Sequence, residues 1–352
     1  MTINKPSLTF NPLHPTFGAE CKGVDFSQPV STDTIDHIRA AMAKYGVLVF
    51  RNTALDDTSH TNLARQFGKL DVSTVMRNSG TPYRLGPESQ LTDVANVDQN
   101  GNIDSVNSLQ AQAFRGNGLF HVDCSFNHRR AGYSLLRAHQ LPPPGSAGGT
   151  EFADTRSAYA DLDENVKTEI HDYVLWHSIL HSRILAVPDN WIFKIVDWTL
   201  DMHGLRHLPY LMILLLTIRF LGFWVRLADT TVVSMCLFGL LRLLLLRQAP
   251  GPLAARAPHR LVQLHKPSNR MNLYIAAHAY RIDGWTKSAS KPVIEALMQH
   301  ASQEKYTFKV DWESNGDMII WDNTCVMHRS SGGSYQGRYV RDMRRATVYD
   351  SA

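Results

Sequence analysis

The chain contains little cysteine: its four cysteines, Cys21, Cys124, Cys236 and Cys325, lie far apart and form no Cys-x-x-Cys pair. This spacing excludes a zinc cage of paired cysteines and a disulfide framework, and it favours a reducing compartment. No Lys/Arg-rich run is present, and 36 basic against 32 acidic side chains leave a formal charge of only +4. So small a charge gives no support to a nucleic-acid partner. No apolar stretch typical of a secretory signal precedes Glu20, so a cytoplasmic protein is expected.

Helix and strand signals alternate in the first third of the chain. The spacing of apolar residues predicts a helix over Ser31–Lys44, with a hydroxyl side chain as its cap. The apolar run Gly46–Phe50 predicts a buried strand, and Asp57–Phe67 returns to helical spacing. Gly80–Gln110 is rich in Gly, Pro, Asn, Asp and Ser, which is typical of a long surface loop that can cover a pocket.

Strand signals multiply from Phe120 onward. Short strands are predicted over Phe120–Phe126 and Tyr133–Ala138, and polar residues alternate with apolar ones over Tyr306–Trp312. Asn315-Gly316 predicts a tight hairpin, from which Met318–Trp321 runs back. Repeated short strands with helices mostly at one end predict a mixed α+β fold, with a double-stranded β-helix (jelly-roll) core and flanking helices.

One segment does not fit this pattern. The expected catalytic domain spans 1–352, but an apolar insert interrupts it at about 190–256, with its most apolar runs at Leu208–Val225 and Thr231–Leu246. Each run is slightly shorter than the roughly 20 residues that cross a bilayer. Three interpretations stay open: buried helices packed on the core, a membrane-contacting hairpin at 208–246, or translated non-coding sequence foreign to the working enzyme. Membrane contact is not the favoured one, and the oligomeric state stays open, a homo-oligomer included.

The sequence His121-Val122-Asp123 carries the first chemical signal. His121 is the only one of the sixteen histidines that a carboxylate follows two places later. On a strand such residues point to the same face, so they could hold one metal ion if a second histidine joined them. Two histidines and one carboxylate form the facial triad of non-haem Fe(II) oxygenases. The alternative is a polar strand edge without a ligand role.

The last predicted strand supplies a second signal. Arg341 and Arg345 alternate with Met343 and Thr347, so both guanidinium groups are expected on the same side, inside the barrel. Buried cations need anions, and arginine binds carboxylates through two parallel hydrogen bonds. A small dicarboxylate and an acidic substrate would satisfy the pair. Arg338 and Arg344 are expected to be solvated.

Four separated motifs resemble one known family. They are, in chain order, Gly118–Phe126, Gly149–Phe152, Trp321–Arg329 and Arg341–Thr347. Together they resemble the taurine/2,4-dichlorophenoxyacetate dioxygenase family of Fe(II)- and 2-oxoglutarate-dependent enzymes, and more closely its 2,4-dichlorophenoxyacetate branch. The likeness pauses between about Leu185 and His259, where the family has a much shorter connection.

The resemblance implies a role for each matching residue. His121, Asp123 and His328 would bind Fe(II). Arg341, assisted by the Thr150 hydroxyl, would bind the distal carboxylate of 2-oxoglutarate. The implied reaction uses O2, hydroxylates the substrate, and releases succinate and CO2.

The resemblance also implies the substrate side. Arg345 would bind the acidic group of a small organic acid, such as an aryloxyalkanoate or a sulfonate. His278 lies where the branch has a histidine near the substrate, although a buried structural histidine is the equal alternative. Two other functions stay open: oxidation of a purine such as xanthine, and a catalytically impaired or membrane-associated relative.

Overall fold

The computed structural model describes residues 8–72, 83–86, 88–146, 148–202 and 255–351. Its strands are β1 Thr9–Pro12, β2 Ala19–Lys22, β3 Val47–Phe50, β4 Thr92–Asp93, β5 Ala131–Gln140, β6 Thr150–Asp154, β7 Val174–Ser178, β8 Arg256–Arg260, β9 Val262–His265, β10 Arg270–Leu273, β11 Ala279–Ile282, β12 Thr307–Val310, β13 Met318–Asp322, β14 Val326–Ser330 and β15 Asp342–Tyr349. Its helices are α1 Thr32–Tyr45, α2 Asp57–Phe67, α3 Leu109–Phe114, α4 Thr155–Ala160, α5 Glu164–Ile170, α6 Ile179–Ala186, α7 Trp191–Met202 and α8 Lys287–Ala301. The described chain therefore mixes helices and sheets, as predicted.

Two of the described sheets surround the region that contains the functional site. A seven-stranded sheet has the order β1-β2-β3-β13-β5-β15-β4, and a three-stranded sheet has the order β12-β6-β14. The side chains of β13 point alternately to the two faces of the larger sheet, and each face packs against a different part of the chain. Ile319 and Trp321 pack in a cluster with Phe152 of β6, whereas Met318 and Ile320 pack in the cluster that contains α1 and α2. A second three-stranded sheet, β11-β7-β8, and the β9–β10 pair complete the described strands.

The first two helices form where the sequence predicts them, because their end signals are local. The Ser31 hydroxyl accepts a hydrogen bond from the backbone N–H of Thr34, and Gly46 ends α1 at a φ of 68°. Asp56 and Ser59 form a capping box at the start of α2. The strands predicted at Gly46–Phe50 and Tyr133–Ala138 are confirmed as β3 and β5.

The predicted hairpin at Asn315-Gly316 is wrong. β12 pairs with β6, whereas β13 pairs with β3 and β5, so the connection crosses from one sheet to the other. The buried carboxylate of Asp317 stabilises this crossover by accepting hydrogen bonds from the backbone N–H groups of Asn52 and Glu313. The Asn-Gly dipeptide correctly predicted a turn. The sheet that each flanking strand joins depends on pairing partners far away in the sequence.

The predicted strand over Phe120–Phe126 is also wrong. Only His121 makes a β-bridge there, and the chain turns immediately afterwards, with Cys124 at a φ of 54°. The expected loop Gly80–Gln110, of which 80–82 and 87 lie outside the described residues, contains β4 and ends where α3 begins. Its backbone pairs with the chain around β15, since Val94 donates to Met343 and Asn96 donates to Arg341. This segment therefore covers the edge of the larger sheet.

The predicted insert at 190–256 is described only at its ends. Within it α7 is held to the fold by Asp197, whose carboxylate oxygens lie 3.1 Å from Arg256 and 3.0 Å from Lys287. β8 then pairs with β7. The runs Leu208–Val225 and Thr231–Leu246, on which the three interpretations depend, lie outside the described residues. Among the residues that are described, no helix is long and apolar enough to cross a membrane.

Candidate metal centre

His121 and His328 are brought together by the backbone. They lie directly opposite each other in an isolated antiparallel bridge, and each backbone N–H donates to the other's carbonyl at 2.9 Å. Residues so paired project their side chains to the same face, which here places the ring centroids 4.2 Å apart. The sequence predicted both residues, but the pairing that joins them is not local.

Asp123 reaches the same point through the turn after His121. Its backbone N–H donates to the Asn323 side chain at 3.1 Å, and its Oδ2 accepts from the Ser134 hydroxyl at 2.8 Å. Asn323 also donates to Ser134 and to the Gly132 carbonyl and accepts from the Trp321 indole. A buried amide with all these partners fixes the position of the carboxylate. One possible ligand atom each from Asp123 and the two histidines therefore lie within 4.8 Å of one another.

The protonation of these groups suits a metal ion. The His121 Nδ1 lies 2.8 Å from the Leu119 carbonyl, so Nδ1 carries the proton and Nε2 keeps a free lone pair. Burial lowers the pKa of His121 and holds that of His328 well below its usual range. Burial opposes the ionisation of Asp123, but Arg345 and both histidines still leave its pKa below the usual value. Two neutral imidazoles and one carboxylate form an N2O donor set that fits Fe(II).

One side of the centre opens into a cavity that ends at a buried cation. His121, His328, Thr150 and Arg341 all line this cavity, hereafter the Arg341 compartment. The Arg341 side chain is buried, its Nε has no partner, and no ion pair or hydrogen bond joins its guanidinium group to any residue that the structure describes. The Trp312 indole N–H donates to the Thr150 hydroxyl at 3.3 Å, which leaves the hydroxyl proton for another acceptor.

A second, adjoining cavity is also lined by His121. It is lined by Asp123, His278, Arg345 and Arg183 and is hereafter the Arg183 compartment. Arg345 borders both compartments and donates to Asp123 Oδ1 at 2.5 Å. The structure thus brings every predicted site residue to the walls of these two adjoining spaces.

Arg338 and Arg344 were both predicted to be solvated, and the structure confirms this for one of them only. Arg338 is exposed, as predicted. Arg344 is mostly buried and ion-paired with Asp57 and Asp342, so the prediction that it is solvated is wrong. A bulge between Asp342 and Met343 shifts the register of β15 here, and the N-terminal end of α2 supplies a carboxylate that strand alternation alone could not reveal.

Three residues of the site were missed in the sequence. Asn323 lies within the motif Trp321–Arg329, so it could have been singled out from the sequence, although its contacts could not be predicted. Ser134 lies on β5, whose pairing with β13 could not be predicted locally, and Arg183 reaches the cavity from a helix that the sequence did not single out.

A mixed fold that places two neutral histidines and a carboxylate beside an unpaired buried arginine defines a non-haem iron oxygenase that binds an organic acid. The comparisons agree. The model of the taurine catabolism dioxygenase TauD, TfdA family matches residues 9–347, and the chain belongs to this family. The predicted enzyme class, an Fe(II)- and 2-oxoglutarate-dependent dioxygenase that uses O2, is confirmed.

Individual relatives cover nearly the whole chain. The alpha-ketoglutarate-dependent 2,4-dichlorophenoxyacetate dioxygenase of Cupriavidus pinatubonensis is 29% identical, over 98% of this chain and 99% of that protein. The alpha-ketoglutarate-dependent sulfate ester dioxygenase of Pseudomonas putida is 26% identical, over 97% of this chain and 89% of that protein. Among solved structures, AAD-2 in complex with Mn(II) and N-oxalylglycine is 27% identical, with a TM-score of 0.74 and coverage of 98% of both chains.

Proposed function

We propose that this dioxygenase hydroxylates a small organic acid of the aryloxyalkanoate or sulfate-ester type, and that the residues predicted from the sequence carry the reaction. The observation that carries the proposal is the unpaired, buried Arg341 guanidinium in the cavity that His121 and His328 also line. A cation withdrawn from water without an anion is costly, so the site is built to receive one.

His121, Asp123 and His328 are the proposed ligands of Fe(II). Their neutral imidazoles and ionised carboxylate need lose no proton to bind it at neutral pH. Bound Fe(II) supplies the activation of O2 that couples decarboxylation of 2-oxoglutarate to oxidation of the substrate. The protein residues hold the reactants in place and keep water out.

Arg341 and Thr150 are the proposed binding residues for 2-oxoglutarate. The guanidinium group offers parallel N–H donors to the distal carboxylate, and the Thr150 hydroxyl is free to donate because the Trp312 indole already donates to it. 2-Oxoglutarate carries a carboxylate at each end, so one end would bind Arg341 and the other would lie at the metal in the cavity that both line.

Arg345 and His278 are proposed to contact the substrate. Both line the Arg183 compartment, and Arg345 also borders the Arg341 compartment. Arg345 is positioned to bind the acidic group of the substrate beside the metal, in a cavity that His278 also lines. The substrates named for the two relatives, 2,4-dichlorophenoxyacetate and sulfate esters, are anions of this kind.

Two finer features belong to the same proposal. The two sheets on either side of the centre, with β14 bridged to His121, are proposed to form a double-stranded β-helix core. A cytoplasmic location is supported by the free thiols of Cys21, Cys124 and Cys325.

The test is an anaerobic titration with Fe(II) and 2-oxoglutarate, followed by the visible metal-to-ligand charge-transfer band of the chelate. The wild-type protein is expected to develop the band. Asp123→Ala should not, and Arg341→Gln should require far more 2-oxoglutarate, while the exposed Arg338→Gln serves as the matched control. A folded wild-type sample without a band would contradict the residue assignments.

The substrate class is tested separately by succinate release in air. Phenoxyacetate, decyl sulfate and xanthine represent the proposed acids and the purine alternative. Succinate formation that only xanthine stimulates would overturn the acid proposal and leave the metal and 2-oxoglutarate assignments standing.

A further inference from the structure

Arg183 stands out among the residues around the centre. It projects from α6 into the cavity that also contains Asp123 and His278. Among the residues described, none forms a hydrogen bond or ion pair with its guanidinium group. Burial lowers the pKa of Arg183 to about 10, which reflects the cost of keeping this charge away from water.

The carboxylates around the same cavity have other neighbours. Asp123 accepts from Arg345, and Asp93 lies 2.7 Å from Arg84. Asp71, the remaining acid of the lining, lies beside Tyr349 and Cys124. Arg345 therefore already forms an ion pair within the protein, whereas Arg183 forms none with any residue that the structure describes.

Gly116 provides the space in which the guanidinium group lies. A Cβ at Gly116 would overlap the Arg183 guanidinium group and would lie 2.8 Å from its Cδ. The missing side chain thus lets Arg183 lie close against the turn that precedes His121. This contact fixes the direction of a long, flexible side chain, which reduces the entropy lost when it binds an anion.

His278 adds a second donor to the same space. The Ser125 hydroxyl lies 2.9 Å from Nδ1 of His278 and 3.1 Å from Nδ1 of His177, and it has one proton to donate. Nε2 of His177 is buried without a partner, and a buried unpaired N–H is the costlier state. His177 therefore donates through Nδ1 to Ser125, and Ser125 donates to His278. The ring nitrogen of His278 that is left for the cavity, Nε2, then carries a proton.

We propose that Arg183, with the Nε2–H of His278, binds the anionic group of the substrate and sets the preference of this enzyme for acids over neutral compounds. The inference rests on the proposed function and deepens it, because it assigns charge selectivity to a helix residue. Arg345 remains shared between Asp123 and the substrate, so its loss disturbs the metal ligand as well. Among the described residues Arg183 forms no hydrogen bond or ion pair with a metal ligand, so its loss should leave the metal ligands in place.

The test compares phenoxyacetate with its neutral, nearly isosteric amide, phenoxyacetamide, in the Fe(II)- and 2-oxoglutarate-loaded enzyme. The measured quantity is the ratio of kcat/KM for the acid to kcat/KM for the amide. Arg183→Gln is expected to lower this ratio by roughly tenfold or more, the value of one charged hydrogen bond. Arg183→Lys should retain part of it, and Arg338→Gln is the control that removes an exposed arginine.

Gly116→Ala is an independent variant, because it keeps the charge of Arg183 but displaces its guanidinium group. It should raise KM for phenoxyacetate while leaving KM for phenoxyacetamide and for 2-oxoglutarate unchanged. If Arg183→Gln fails to fold, Arg183→Lys and Gly116→Ala decide the question by the same ratio.

The possible results separate the two proposals. If the wild-type enzyme turns over phenoxyacetate and the ratio is unchanged in the variants, the role of Arg183 is wrong and the proposed function stands. If the wild-type enzyme turns over neither acids nor their amides, the proposed substrate class fails and the role of Arg183 fails with it. A fall in the ratio with an intact charge-transfer band confirms the inference.

Discussion

At the scale of single residues, Asn323 contributes to the centre without being a ligand. Its amide joins the backbone of Asp123 to Ser134, Trp321 and Gly132, all within the described core. Removing it would leave buried donors and acceptors unpaired and would free the turn that carries Asp123. Outer-shell partners of this kind tune metal affinity as well as stability.

We therefore expect Asn323→Ala to weaken metal binding by about 10- to 100-fold. The measurement is an equilibrium titration with Mn(II) under conditions in which the variant is folded, and the exposed Asn11→Ala is the control. An unchanged metal affinity would show that the turn holds Asp123 without the amide.

Arg341, which directly precedes β15, and Arg345 within it give a second prediction at this scale. Arg345→Ala should mainly raise KM for the acid substrate, whereas Arg341→Ala should mainly raise KM for 2-oxoglutarate. Steady-state kinetics with each substrate varied in turn measures both effects. The reverse pattern would show that the division of roles between the two arginines is wrong.

At the scale of elements, the junction of α2 with β5 contains a pH-sensitive contact. His60 of α2 is fully buried, and its Nε2–H donates to the Leu135 carbonyl at 3.1 Å. Burial, followed by the charge of Arg137, lowers the pKa of His60 to about 3. The folded state therefore keeps His60 neutral at a pH where the unfolded chain already binds a proton.

The sign of this linkage predicts acid destabilisation. The contribution of His60 is fully present above the unfolded pKa of about 6.5 and declines as the pH falls towards 3, reaching a loss of about 1.4 kcal/mol at pH 5.5. We expect His60→Gln to show a smaller loss of unfolding free energy than the wild type between pH 7.5 and pH 5.5. Urea unfolding at each pH measures it, and equal losses in the two proteins would contradict the assignment.

The elements also show what the sequence could predict. α1, α2, β3 and β5 follow from local signals, namely caps, turn glycines and apolar runs, and the structure confirms them. The β12–β13 hairpin and the strand around Asp123 were wrong, because strand pairing depends on residues hundreds of positions away. The proposed metal ligands were identified from their residue types and from the family resemblance. Their relative positions depend on the turn after His121, which the alternation of strand side chains does not predict.

At the scale of the whole molecule, the centre joins two layers. His328 belongs to β14 of the smaller sheet, whereas Asp123 is held by Ser134 of β5 and by Asn323, which follows β13 in the larger sheet. A metal ion bound here would cross-link both sheets. Any ligand that binds only the folded state adds its binding free energy to stability.

We therefore expect Mn(II) to raise the Tm of the EDTA-treated protein, with a gain of about 2.7 kcal/mol at one hundred times its Kd. Asp123→Ala should abolish the shift, and Ser330→Ala, at the end of β14 outside the ligand set, should preserve it. Differential scanning calorimetry is the measurement. An equal shift in Asp123→Ala would place the bound metal elsewhere.

The reciprocal hydrogen bonds between His121 and His328 have one more consequence. Strand side chains alternate, so a slip of β14 by a single position would replace His328 with Met327 or Arg329 opposite His121 and turn the imidazole away. No intermediate arrangement keeps both rings on one face. Metal binding at this centre therefore requires that the two strands have paired correctly, so a purified sample can be tested for correct assembly by metal binding that Asp123→Ala abolishes, before any substrate is known.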